Sequence, residues 1–254
     1  MSDTIKTSYP ADHVALIEID NPPSNALGDA VRSRLMVALE EVENNLAIRA
    51  VVLTGTGKSF CAGDDLREVA TRGDAMNASL AQFGKLFDRL EAFRVPVIAA
   101  VNGHAMGGGL ELALCCDLRI ASAEARFAGA GVNVGLMASV YRLPRLIGIA
   151  RAKAMLLTGQ PIDAETARLY GLVTAVHPAS ELRDAALTLA TRIATRAPLS
   201  VEATKRQTGR AYDLTPTEAQ RASGEEVAVL RASADHRAAV DGFLNKRTPS
   251  FTRS

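Results

Sequence analysis

Glu111 stands three residues past Gly108 in the run Gly107-Gly108-Gly109-Leu110-Glu111-Leu112, among apolar neighbours. Glycines at a helix start leave the backbone N–H groups open, because no Cβ blocks a ligand's approach. The positive end of the helix dipole adds to the pull on negative charge. The guest this suits is a developing oxyanion, such as an enolate or a thioester oxygen. Such a hole needs a second donor. The segment Phe60-Cys61-Ala62-Gly63-Asp64 offers one, the backbone N–H of Asp64 in a turn after a strand. Losing one such donor costs about 3–4 kcal/mol of transition-state stabilisation. On so apolar a helix Glu111 is expected to be at least partly desolvated, which favours its neutral form. A carboxyl group tuned this way beside the hole suits proton transfer at the α-carbon of a thioester. Taken alone, a first-turn glutamate is more often a solvated complement to the helix dipole. The two glycine-bearing turns together shift the reading to chemistry.

Two other motifs fail on inspection. Gly57-Lys58-Ser59 resembles the end of a phosphate-binding loop, but that pattern needs a glycine where Val52 stands, and no helix pattern begins at the Lys-Ser pair. A polar turn is expected there instead. Counted from Gly103, Ala105 occupies the second glycine of a dinucleotide fingerprint, so a nicotinamide enzyme is not expected.

The elements that must position these residues are legible from periodicity. His13–Ile19 reads as a strand with Ala15, Ile17 and Ile19 on one face and Val14, Leu16 and Glu18 on the other. Val31, Leu35, Leu39 and Val42 recur at helical spacing between Asp29 and Asn45. Residues 50–55 form a β-branched run ending in glycine, residues 79–93 a helix pattern, and residues 95–101 a strand feeding the glycines. Strands follow at 118–122 and 172–176, with helices stopped by Gly159 and Gly171 between them. Beyond His177 only helical patterns remain, and 215–247 reads as one run. This predicts an α/β core with a helical C-terminal piece. No linker separates the two, so the tail is expected to pack on the core or on a neighbouring subunit.

The chain has 254 residues, 48% hydrophobic and 22% charged, enough for one sizeable core. A net charge of +1 favours neither nucleic acid nor an anionic membrane. No apolar run approaches the ~20 residues of a membrane span. Cys61, Cys115 and Cys116 lack metal-ligand spacing and read as buried reduced thiols. With a polar opening segment that lacks an apolar signal core, they indicate a cytoplasmic protein.

Val51–Val69 and Val95–Phe127 strongly resemble the enoyl-CoA hydratase/isomerase (crotonase) superfamily, as do residues 21–27, 142–148, 158–176 and 243–251. The resemblance implies a crotonase-like α/β spiral of repeated β–β–α turns with a C-terminal helical region. It implies residues 1–195 as the core with the acyl-CoA site, and 196–254 as a helical region for assembly and closure of the CoA site. It also implies a homotrimer or dimer of trimers, an acyl-CoA thioester substrate, and no metal or other cofactor beyond the coenzyme A of the substrate. Carried over by position, the oxyanion donors are the N–H groups of Asp64 and Gly108, and Glu111 is the first catalytic acid. Asp64 is expected to act through its N–H and not its carboxylate. Ala62, Asp64, Asp65 and Leu66 fall on the stretch that meets the CoA adenine and pantetheine, and Phe243 and Lys246 on a tail pair that reaches the nucleotide.

The pattern breaks at one place. Aligning Phe127 and Gly135 with the family puts Gly131 where hydratases carry a second glutamate, and the loop before Arg142 is a few residues short. Hydration needs one group to activate water and one to deliver a proton. Three substitutes are open: Glu111 alone, a polar group among Asn133, Ser139 and Tyr141, each of which is taken singly as a loop hydrogen bond, or an anion or water in the space left by Gly131. His104 is expected to stabilise its turn, not to titrate in catalysis. The reading is therefore an acyl-CoA enzyme of hydratase/isomerase type in fatty-acid or related metabolism, a lyase first and a single-acid isomerase second. The competing class is a non-catalytic acyl-CoA-binding protein.

Overall fold

Chain order alternates between two sheets. A computed structural model describes residues 4–254. The first sheet holds β1 (Ile5–Ala11), β2 (Val14–Ile19), β3 (Ala50–Gly55), β5 (Val97–Val101), β7 (Leu118–Ser122) and β10 (Ala175–His177), in the order β1-β2-β3-β5-β7-β10. The second holds β4 (Ser59–Cys61), β6 (His104–Met106), β8 (Arg126–Ala128) and β9 (Ile162–Asp163), in that order. A long strand in the first sheet is thus followed by a short strand in the second and then by helix. The helices are α1 (Asp29–Asn44), α2 (Leu66–Val69), α3 (Met76–Glu91), α4 (Gly108–Leu114), α5 (Arg142–Ile147), α6 (Ile149–Thr158) and α7 (Ala164–Tyr170). After the last strand come α8 (Leu182–Ala194), α9 (Pro198–Gly209), α10 (Pro216–Ala232) and α11 (Ala234–Leu244). Three β–β–α turns, from β3, β5 and β7, make the spiral expected of the crotonase fold.

Strand β2 shows why this sequence buries both faces of the first sheet. Ala15, Ile17 and Ile19 enter the main core with α1, α3 and α4. Val14 and Leu16 join Ala50, Val52, Ile98 and Ile120 in a second core. That core is closed by α8, whose buried Leu182, Ala186, Ala190 and Ala194 repeat every four residues. Small residues at this spacing let one face of the helix lie close on the sheet. Glu18, the polar residue on the same face, accepts from Arg183 Nη1 at 2.7 Å at the rim.

Some elements depart from the sequence expectation. The polar segment 5–11 is an edge strand, antiparallel to β2 with Ile5 opposite Ile19. Only Ile5 is buried there, so an edge tolerates the polar remainder. The strand expected at 172–176 is shifted: Leu172 and Val173 are buried in the preceding turn, and pairing runs over Ala175–His177. The tail is not one helix, because Ser233 leaves helical geometry and its hydroxyl caps α11 by accepting from His236 N at 3.0 Å. The terminal residues stitch that tail to the body: Arg49 Nη2 donates to Phe251 O at 2.6 Å, and Arg253 pairs with Glu202 at 2.9 Å.

Candidate active site

Strands β4 and β6 are parallel neighbours, with Cys61 opposite Ala105, so the turns that leave them lie side by side. Their closeness is extreme. A Cβ at Gly109 would stand 1.9 Å from the Cys61 carbonyl oxygen, and one at Gly63 would stand 2.7 Å from Gly108 N. Gly63 and Gly107 also hold φ of 89° and 52°, a region that side chains disfavour. Among the described residues, no chain acceptor takes the N–H of Gly108 or of Asp64. Neighbouring N–H groups are otherwise used: Ala62 N donates to Ser24 O, and Gly107 N to Ala128 O. Two free donors, one at the start of α4 and one in the adjoining turn, can hold a negatively charged oxygen.

The turn before them is the polar turn expected in place of a phosphate loop. Asn25 Nδ2 donates to the carbonyls of Thr56 and Ser59, and Asn102 Nδ2 to those of Gly57 and Ser59. His104 is exposed, and its backbone N–H donates to Lys58 O. All three cysteines are free and buried, and burial pushes the Cys61 and Cys116 thiols up to about 12.

The Asp64 carboxylate lies between two buried arginines. Arg72 Nη2 donates to Oδ1 at 2.8 Å and Nη1 pairs with Oδ2, while Arg32 Nη1 reaches Oδ1 at 3.2 Å. The hydrogen bonds to Asp64 hold the Arg72 guanidinium above its ordinary range. Arg32 also donates to Leu27 O and Ser79 Oγ, both at 2.6 Å, and covers the Phe83 ring at 4.1 Å. The donor turn is thereby tied to α1 and α3. Asp65 caps α2 by accepting from Arg67 N at 2.9 Å, and Leu66 is exposed beside it.

Glu111 lies one turn into α4 and is 8% exposed, as its apolar setting demands. It is a paired group. Arg142 Nη1 donates to Oε1 at 2.6 Å, while Oε2 is buried without a partner. Arg142 in turn makes a two-pronged pair with Glu91, Nε to Oε1 and Nη2 to Oε2, both at 2.7 Å. At its other end α4 meets the buried guanidinium of Arg119, which donates to the carbonyls of Ala113, Cys116 and Leu172. Arg142 had no assigned role in the sequence, where it marked only the end of a short loop. Glu91 carried no signal at all, reading as a polar position at the end of a helix.

The third turn, after β8, enters a 3₁₀ segment at Ala130–Val134. Gly131 has no room for a Cβ in this loop. A Cβ there would meet Leu136 O at 2.9 Å, Ala138 N at 3.0 Å and Met137 C at 3.1 Å. The shortened loop folds its own backbone into that volume. Gly131 is not at positive φ; crowding alone excludes a side chain. Of the three polar candidates, Asn133 is spent on Gly159 O at 3.2 Å, and Tyr141 is 56% exposed under the Arg145 guanidinium. Ser139 is buried at φ 57°, and its hydroxyl has no partner. Phe243 is 85% exposed at the end of α11. Among the described residues no hydrogen bond or ion pair ties Lys246 to segment 62–66.

The family model for enoyl-CoA hydratase/isomerase matches residues 10–254. The chain belongs to the enoyl-CoA hydratase/isomerase family. It is 37% identical to the short-chain-enoyl-CoA hydratase of Clostridium acetobutylicum, over 92% of both chains. It is 38% identical to the (E)-benzylidenesuccinyl-CoA hydratase of Thauera aromatica, over 95% of this chain and 96% of that one. A crystal structure of enoyl-CoA hydratase from Bacillus anthracis superposes with a TM-score of 0.95 at 31% identity, covering 99% of this chain and 100% of that one. The crotonase fold and the acyl-CoA enzyme class thus stand for this member of the family. No helix among the described residues is long and apolar enough to cross a membrane.

Proposed function

We propose that this family member binds an enoyl-CoA thioester with its carbonyl oxygen on the N–H groups of Asp64 and Gly108, and that Glu111 alone moves the proton. The supporting observation is the asymmetry at the site. One buried carboxylate keeps a free oxygen, while at the position of a second acid a Cβ alone would crowd the backbone of 136–138. Glu111 Oε2 removes a proton from the carbon next to the thioester, and the negative charge passes to the carbonyl oxygen. The same carboxyl group returns the proton to the γ-carbon, and the double bond has moved. Segment Ala62–Leu66 carries the coenzyme A moiety of the substrate, with no metal or further cofactor. Phe243 and Lys246 reach the nucleotide across a homotrimer, alone or paired, whose assembly rests on tail 196–254. The exposed Val227, Val240 and Phe243 support that role for the tail. The buried free thiols fit a cytoplasmic setting in fatty-acid or related acyl-CoA metabolism.

Hydration is the second reading, favoured because both curated relatives above are named hydratases. In it the unpartnered hydroxyl of Ser139 orients water, Glu111 takes a proton from that water as the water oxygen bonds the β-carbon, and Glu111 delivers the proton to the α-carbon. Turnover of an enoyl-CoA panel in deuterated water, followed by mass spectrometry, separates the two. Isomerisation gives deuterium incorporation with a displaced double bond; hydration gives 3-hydroxyacyl-CoA. Glu111→Gln should reduce either by ~10²–10⁴, the usual weight of general acid–base catalysis. Efficient stereospecific 3-hydroxyacyl-CoA formation by the unmodified enzyme would refute the single-acid reading.

A further inference from the structure

We infer that Arg142 is the positioning residue of the site, aiming Glu111, and that Glu91 holds Arg142 in place. This rests on the reading of Glu111 as the proton carrier. The geometry is a chain across three helices: Glu91 at the end of α3, Arg142 at the start of α5, Glu111 in α4. Its three contacts are 2.6–2.7 Å long. Two parallel bonds to Glu91 fix the plane of the guanidinium, and such forked pairs carry directional information that a lysine cannot supply. The Glu91 hydrogen bonds hold the Arg142 charge above its ordinary range. The Phe87 ring lies 5.9 Å from the guanidinium carbon, and Asp88 Oδ1 at 3.9 Å adds a weaker charge.

The consequence falls on one oxygen. A glutamate side chain can rotate, and a base that must meet a carbon-bound proton loses rate quickly when misplaced. Arg142 takes Oε1 and leaves Oε2 as the buried oxygen without a partner. It therefore decides which oxygen reacts and in which rotamer. Glu91 bonds Arg142 and not Glu111, so its effect on Glu111 passes through Arg142.

A double-mutant cycle tests this, with deuterium exchange into an enoyl-CoA as the readout. Arg142→Met should lower kcat by ~10–100-fold with KM within about two-fold, the scale expected of a misaligned group. Arg142→Lys should restore part of that loss, and Glu91→Gln should lower kcat by a smaller factor. In a Glu111→Gln background, neither Arg142→Met nor Glu91→Gln should cost anything further, because groups acting as a unit are not additive. An equal loss in both backgrounds would overturn the proposal, as would a raised KM at unchanged kcat. If Arg142→Met fails to fold by circular dichroism, Glu91→Gln, on a half-exposed residue, decides by the same cycle. Full activity in Glu111→Gln alone would instead remove the reading of Glu111, a separate failure with its own signature.

Discussion

Two turns occupy corresponding places in the spiral and are built in opposite ways. The turn after β4 has its carboxylate clamped by Arg32 and Arg72, its glycine against the next turn, and its free N–H exposed to a guest. The turn after β8 presents Val132, Val134, Leu136, Met137 and Val140 to solvent, with Met137 80% exposed. In the proposed reading the first acts through backbone atoms, and its geometry is fixed accordingly. The second closes its backbone on itself, Leu136 N donating to Gly131 O at 2.9 Å, and turns its apolar side chains outward.

That contrast can be broken by experiment. The largest effect is expected at Asp64. Asp64→Pro removes the donor and should cost ~10²–10³ in kcat. Asp64→Asn keeps the donor and should retain kcat within a few-fold while lowering the melting temperature, because two buried guanidinium groups lose an ionised partner. Equal loss of turnover in two folded variants would show that the backbone role is wrong. Next comes Gly131→Glu, which should destabilise by about 1–3 kcal/mol through overpacking and add no hydration. A gain of 3-hydroxyacyl-CoA in that variant would mean that the loop yields and the turn accepts a second acid.

Ser139→Gly sharpens the comparison with two signs in one variant. Relief of the positive φ should raise the melting temperature by about 2–4 °C. Deuterium exchange should persist, and any residual hydration should fall if the hydroxyl serves water. The smallest effect concerns the tail. Burial opposes ionisation of Glu202, but hydrogen bonds from Arg253 and Arg94 outweigh it and hold the carboxyl below its ordinary range. A depressed carboxylate stabilises the fold above its unfolded pKa, and the contribution is lost as pH falls through the folded value. Proteolysis of the C-terminal residues should therefore accelerate in acid below the usual glutamate range, and Glu202→Gln should abolish that dependence.

The donor turns and the apolar setting of Glu111 are readable because each sits in a local pattern of glycines and apolar residues, whereas the loss at Gly131 is readable only against the family pattern. The spiral itself came only through the family resemblance. Three-residue strands such as β4, β6 and β8 are too short to show a period. Arg142, Glu91, Arg32 and Arg72 were silent for another reason. Their hydrogen-bond partners lie 3 to 51 positions away, and a single arginine in sequence looks like any solvated charge. The closed volume at Gly131 was equally invisible, since it depends on the path of the loop that follows.

The cation beneath the far end of α4 has one more implication. Arg119 grips the carbonyls at that end, while Gly109 is wedged against Cys61 at the other. In mechanical terms the helix is a strut fixed at both supports. Sliding along its axis would break the contacts at both ends. On the proposed seating of the thioester, accommodation of substrates of different length falls to the parts that surround the helix.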